Sequence, residues 1–206
     1  SSAPMTSAPD ASAVSPNTGA NLTSGGKEIY IGYNAGDAGT TSTGNVAIGY
    51  EAFSAATTNP SDADGYPTYN TAVGYQALKA MNTTNHTVAG GYGRNTAIGN
   101  QAMTNLLTGQ SNTAIGHVAM ALGAVTGSHN IGIGQAALYD LTSGTDNIAI
   151  GKDAGGNIKE GVGNIAIGAA ALSTDGDTTD AYNGDYNIAI GYEALKDFKA
   201  DADGHG

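Results

Sequence analysis

Carboxylates close enough along the chain to share a hard cation occur in two places: Asp62 and Asp64 in an Asp-Ala-Asp-Gly run, and Asp175 and Asp177 in an acidic stretch ending at Asp185. Clustered oxygen ligands suit Ca²⁺, but neither stretch supplies the further ligands and closing Glu of an EF-hand loop. Calcium is therefore the alternative to an expectation of no cofactor. His86, His117, His129 and His205 are scattered and keep no metal-ligand spacing. No nucleophile elbow or P-loop is present, and Gly132-Ile-Gly134 belongs to a repeat rather than to a dinucleotide fingerprint. These residues predict a protein that is not an enzyme. Candidate binding chemistry lies elsewhere, in Tyr66, Tyr69, Tyr92, Tyr182 and Tyr186, which stand among Asp and Asn in three insertions, 54–69, 79–94 and 173–186. Tyr beside Asp suits carbohydrate or protein contact; solvated acidic loops with Tyr packed on the scaffold explain it equally well. The sequons at Asn21, Asn82 and Asn85 are matches that an Asn/Thr-rich chain gives by chance.

The element that positions these loops is an internal repeat. A block Asn-x-Ala-Ile-Gly-x-x-Ala-Leu recurs with Gly at 32, 49, 74, 99, 116, 134, 151, 168 and 191, so the basic period is 17 residues, with longer spacings at the insertions. We call these nine units coils 1 to 9 and number positions from the Gly. Position −1 is Ile or Val throughout, −3 is Ile, Val or Thr, and −2 is Ala or Gly except at Tyr30. Alternating β-branched and small residues predict a short strand, with the branched side chains on one face and the small ones on the other. Strands this short gain stability by stacking in parallel, one coil on the next, about 4.8 Å apart.

Asn45, Asn70, Asn95, Asn112, Asn130, Asn147, Asn164 and Asn187 occupy position −4, with Glu28 in the first coil. Stacked Asn side chains form a hydrogen-bonded ladder, or Asn simply favours the preceding turn; the sequence leaves both open. After the Gly, Leu78/Met81, Met103/Leu106, Leu138/Leu141 and Leu195/Phe198 are spaced by three, which suits one helical turn. The fold expected is all-β: a parallel β-solenoid or β-roll of nine coils with short helical or 3₁₀ corners. Small residues at alternate strand positions permit close chain-to-chain approach and point to a trimer. Residues 1–26, rich in Ser, Ala and Pro, read as an extended arm, 27–199 as the repeat domain and 200–206 as a tail.

Composition narrows the function. A net charge of −11 argues against nucleic acid and anionic membrane surfaces. The longest apolar stretch, Val118–Val125, is too short to enter a bilayer as a span. There is no Cys, hence no disulfide framework or thiolate metal site. A chain beginning at Ser1 is compatible with a removed leader, and we expect an extracellular, cell-surface or virion-fibre location. With Thr on the strand only at Thr71, Thr96 and Thr113, a flat Thr row for ice binding is disfavoured.

The blocks "NTAVGYQAL", "NTAIGNQAM" and "NIAIGYEAL" resemble repeats of phage tail-fibre-like proteins. They are also similar to a longer version of the head repeats of trimeric autotransporter adhesins. The resemblance covers residues 28 to about 198. It implies a left-handed parallel β-roll in a thin, trimeric, elongated element with a structural or adhesive role and no catalytic residues. Neither a coiled-coil stalk nor a membrane anchor accompanies the blocks, so it does not imply autotransport by this chain. Two functions follow. One is a subunit or shaft of an extracellular fibre that associates with itself, as a homotrimer or end to end through solenoid ends and the arm. The other is an adhesin that binds a cell-surface glycan or protein through its inserted loops.

Overall fold

The computed structural model of the chain describes residues 12–14, 26–37, 43–55, 68–81, 93–174 and 184–197. Ten three-residue strands form one parallel sheet in sequence order: β1 Ser12–Val14, β2 Ile29–Ile31, β3 Val46–Ile48, β4 Thr71–Val73, β5 Thr96–Ile98, β6 Thr113–Ile115, β7 Ile131–Ile133, β8 Ile148–Ile150, β9 Ile165–Ile167 and β10 Ile188–Ile190. Strands β2 to β10 are the nine repeat strands, stacked position on position: Val46 faces Thr71, and Ala47 faces Ala72. This is a β-solenoid, and its register is the repeat read from the sequence. The first strand lies inside the N-terminal arm. Ser12 pairs with Ile29, one 17-residue period away, so the arm adds a strand in the register of the repeat.

Every strand from β2 to β10 buries its middle residue and turns its two β-branched residues outward. Ala at −2 and Ala at +3 are buried in column after column, and Phe53, Leu78, Met103, Met120, Leu138 and Leu172 at +4 fill the space between them. This corrects the expectation that small strand residues set a chain-to-chain contact. They face the coil interior, where a residue as small as Ala or Gly leaves room for the +4 side chain. Coil 1 inverts the arrangement. It has Gly36 at +4, and Tyr30 at −2 fills the vacated volume; a Cβ on Gly36 would fall on the Tyr30 ring.

The expectation of helical or 3₁₀ corners is also corrected, because the described residues contain no helix. In all nine coils, positions +2 and +4 have positive φ, as at Glu51 (51°), Phe53 (54°), Gln76 (52°) and Leu78 (51°). A helix keeps φ negative and closes its hydrogen bonds along its own axis. Here alternation sends successive N–H groups to opposite neighbours: Glu51 N–H donates back to the Tyr33 carbonyl, and Phe53 N–H donates forward to Ala77. The corner is thus part of the intercoil ladder. The three-residue spacings mark single turns, in which Leu106 N–H donates to the Met103 carbonyl and Leu141 N–H to Leu138. Phe198 lies outside the described residues.

The repeat Gly ends each strand at φ near 130°, and neighbouring glycines stack backbone on backbone. A Cβ on Gly49 would run into the Gly74 carbonyl; Gly74, Gly99, Gly116, Gly134, Gly151 and Gly168 continue the column to Gly191.

Candidate functional site

The Asn column is a buried ladder. Asn70 donates its backbone N–H and its side-chain amide to Asn45 Oδ1, at 2.8 and 3.1 Å. Asn95, Asn130, Asn147, Asn164 and Asn187 repeat both bonds onto the preceding Asn, while Asn112 repeats the backbone one. The other amide hydrogen goes to a glycine carbonyl at the next turn: Asn95 to Gly109, Asn112 to Gly127, Asn147 to Gly161 and Asn164 to Gly184. Every backbone N–H of the column points towards the preceding coil's Oδ1. The first ladder residue therefore needs only an acceptor, and Glu28 Oε2 takes the Asn45 N–H at 2.8 Å. Burial raises the Glu28 carboxyl above its ordinary range, partly offset by hydrogen bonds from Asn45 and Tyr30. These residues hold coils together and, apart from the half-buried Asn187, are buried, so their role is structural.

Three surfaces do meet solvent. The first is the sheet face, where positions −3 and −1 of nine coils present β-branched residues without one charge among them. The second is position +1, where Tyr33, Tyr50 and Tyr75 stack with ring centroids 5.4 Å apart. Their faces cover one another, so the stack offers ring edges and hydroxyls rather than a flat aromatic platform. Beside it Glu51 accepts from Lys79 Nζ at 2.6 Å and Gln76 Nε2 at 2.8 Å, which lowers its carboxyl below the usual value. Glu51 in turn raises the neighbouring Tyr50 phenol.

The third surface is a notch of about 490 Å³ across coils 6 to 9. Coil 8 carries Ala169-Ala170 at +1 and +2, where coils 2 and 3 carry Tyr50-Glu51 and Tyr75-Gln76. The missing side chains leave a recess bordered by Asp140, Thr174, Tyr139 and Tyr192. Spacing alone does not reveal it, but the Ala169-Ala170 pair, with Ala136 in the same +2 column two coils earlier, is its sequence signal.

Of the loop tyrosines, Tyr69 and Tyr186 are described. Both stand at −5 with positive φ, are 60% and 77% exposed, and lie over the glycine at −5 of the preceding coil, Gly44 and Gly163. The structure therefore places each on the scaffold while leaving much of its surface to solvent. Tyr66, Tyr92 and Tyr182, the acidic pairs Asp62/Asp64 and Asp175/Asp177, and the three sequons lie outside the described residues. His129 faces Asp146 at 3.7 Å on the surface. Among the described residues no three His, Cys, Asp or Glu side chains gather to hold a metal, and no helix is long and apolar enough to cross a membrane. No family model, curated protein or solved structure matches the chain.

Proposed function

We propose that the chain is a non-enzymatic structural protein, a subunit or shaft of an extracellular fibre or filament, whose rods associate with themselves and which needs no cofactor. The observation that carries this reading is the outward sheet face. Ile29, Ile31, Ile98, Ile150, Ile188 and Ile190 are all more than a third exposed, and they belong to two uncharged columns running the length of the stack. Contiguous apolar surface of this extent marks an interaction site. A second copy is the fitting partner, because it presents ridges with the same ~4.8 Å spacing and matching β-branched shape. The likeness of the repeat blocks to fibre and adhesin-head repeats supports the same reading, including a homotrimer. Light scattering with electron microscopy tests it. The wild type is expected as elongated multimers, and Ile133→Lys with Ile150→Lys as single rods with unchanged circular dichroism. A wild-type monomer at all concentrations overturns the proposal.

The exposed rings of Tyr69 and Tyr186, each closing an insertion, favour an adhesin that uses loops 54–69, 79–94 and 173–186 as the second reading. Deleting 59–66 and 176–181 brings both spacings to 17 residues and, with Tyr69→Asn and Tyr186→Asn, then abolishes surface binding while the rod stays folded.

A further inference from the structure

Each coil bonds to the next through the same backbone groups. In coils 1 to 8 the N–H at −3 donates to the −4 carbonyl of the following coil, and the −1 carbonyl accepts from the following repeat Gly. The +1 carbonyl and the +4 N–H do likewise in the corner, as Tyr33 does with Glu51 and Leu172 with Ala194. In coil 9 these groups are Ile188 N–H, Ile190 C=O, Tyr192 C=O and Leu195 N–H, and none meets a following coil among the described residues. Side-chain burial stops at the same place. Leu195 at +4 is 39% exposed where Leu172 is 2%, and Ile188 and Ile190 are 64% and 66% exposed where Ile165 and Ile167 are half-buried. A Cβ on Gly191 would meet only Ala194, whereas the glycine of every earlier coil lies against the next glycine's carbonyl. Coil 9 thus presents a seat shaped for one more strand of the repeat.

Strand β1 supplies the matching edge. It lies at the other end of the sheet, parallel to β2 and one 17-residue period before it. The N–H and C=O groups of successive strand residues point to opposite sides. Positions −3 and −1 point to the following coil, so −2 points to the preceding one. In β1 this register faces Ser12 and Val14 to β2 and turns the Ala13 N–H and C=O away from the sheet. Ser12-Ala13-Val14 also keeps the small residue at −2 and the β-branched residue at −1. By count Pro16 falls at +1, and no described coil uses the N–H of that position to bond a neighbour. Residues 198–206, by contrast, contain no β-branched residue to continue the columns of β10. Unpaired strand edges are templates for a further strand, and one chain carries both halves of this joint.

We propose that β10 of one copy takes β1 of a second copy as its next strand. Ile188 then pairs with Ser12 of the second copy, Ala189 with Ala13 and Ile190 with Val14, and two stacks become one longer stack. The joint uses different surfaces on its two sides and does not close, so it repeats from copy to copy. This rests on the reading of the chain as a self-associating fibre subunit and names the contact that sets the fibre's length, while the apolar sheet face sets its width.

The test separates length from width. Ile133→Lys with Ile150→Lys silences the sheet face. Electron microscopy of that chain is expected to show rods one solenoid wide and several times longer than the ~48 Å of one ten-strand stack. In this background Ala13→Pro removes the outward N–H of β1, and Ile190→Pro removes an outward N–H of β10. An edge strand tolerates Pro where its N–H faces solvent, and Ile188→Pro is a second choice on the β10 side. Each variant alone should stay a single stack, because every copy has one half of the joint blocked. Mixed in equal amounts they should form a species of twice the single-chain mass and nothing larger, because Ala13→Pro still offers β10 and Ile190→Pro still offers β1. Size-exclusion chromatography with light scattering reads this.

The proposal is overturned if the sheet-face variant stays one stack long, if Ala13→Pro lengthens as its parent does, or if the mixture gives no pairs. It is also overturned if rods lengthen only after residues 198–206 are removed, which assigns the β10 edge to the chain's own tail. Wild-type bundles that are wide but one stack long overturn this proposal and leave the sheet-face reading standing, whereas a wild-type monomer overturns both.

Discussion

Asn147 brings both its backbone N–H and its side-chain amide onto one atom, Asn130 Oδ1, at 3.0 Å each. Asn130 is itself a double donor, to Asn112 Oδ1 and to the Gly144 carbonyl. Asn130→Ala strands buried partners on both sides, each costing about 1–3 kcal/mol, and a marked fall in thermal midpoint is expected. Asn130→Asp should be worse, because a carboxylate cannot donate to Asn112 or Gly144. Thermal unfolding of the two variants checks the order. If Asp proves milder than Ala, the amide donors contribute less than the geometry requires.

Gly116 and Gly26 offer a matched pair. At Gly116, φ is 134° and a Cβ comes against the backbone of Gly134; at Gly26 a Cβ meets nothing within 4 Å. Gly116→Ala is expected to cost about 2 kcal/mol or more, from an unfavourable φ and a clash with backbone. Gly26→Ala should stay within about 0.5 kcal/mol of wild type. Denaturant midpoints measure both.

Val118 holds φ at 51°, where a β-branched residue is strained. Other coils put Asn34, Glu51, Gln76 or Asp153 in that column with φ between 51° and 57°. Val118→Asn should raise stability by about 1 kcal/mol, since Asn tolerates the left-handed region. Unchanged or lower stability would show that the Val118 side chain contributes packing that outweighs its strain.

Glu28 makes stability depend on pH. Its carboxyl lies above the ordinary 4.5 in the folded chain because it is buried, so the folded state binds that proton more tightly than the unfolded state. Its contribution is fully present below pH 4.5 and is lost as pH rises through the raised folded value. Glu28→Gln keeps an acceptor for Asn45 and removes the titration. The stability of Glu28→Gln relative to wild type should therefore grow between about pH 4 and pH 7. Urea melts of both proteins across that range check it, the other acids being common to the two.

The repeat made the stack legible because each strand residue has a two-fold alternation, and 17 residues bring it back into register. The interior was misjudged at one point. Alternation tells that Ala72 and Val73 face opposite ways, but not which way is in; the volume of Leu78 at +4 decides it by requiring Ala beneath. The corners were misread because the spacing of Leu138 and Leu141 fits a single turn as well as a helix. Left-handed residues such as Met103 and Leu138 carry no Gly or Asn to announce themselves. Strand β1 was hidden because Ser15 and Ala11 stand where later coils have Gly and Asn. The notch was hidden because its signal is three alanines, an absence of side chain rather than a motif.

The ladder also gives the rod a sense of direction. Through Oδ1 each Asn accepts from the side of coil 9, and onto the preceding Oδ1 it donates towards coil 1, so the two ends of the ladder are chemically unlike. One carries Glu28, an acid with no amide to give; the other carries Asn187 Oδ1, an acceptor without a donor among the described residues. Two such ends of the same kind cannot complete each other's bonds. Any arrangement that carries the ladder from one copy into the next must keep both pointing the same way, as arrows in a line, so a filament extended through it is polar.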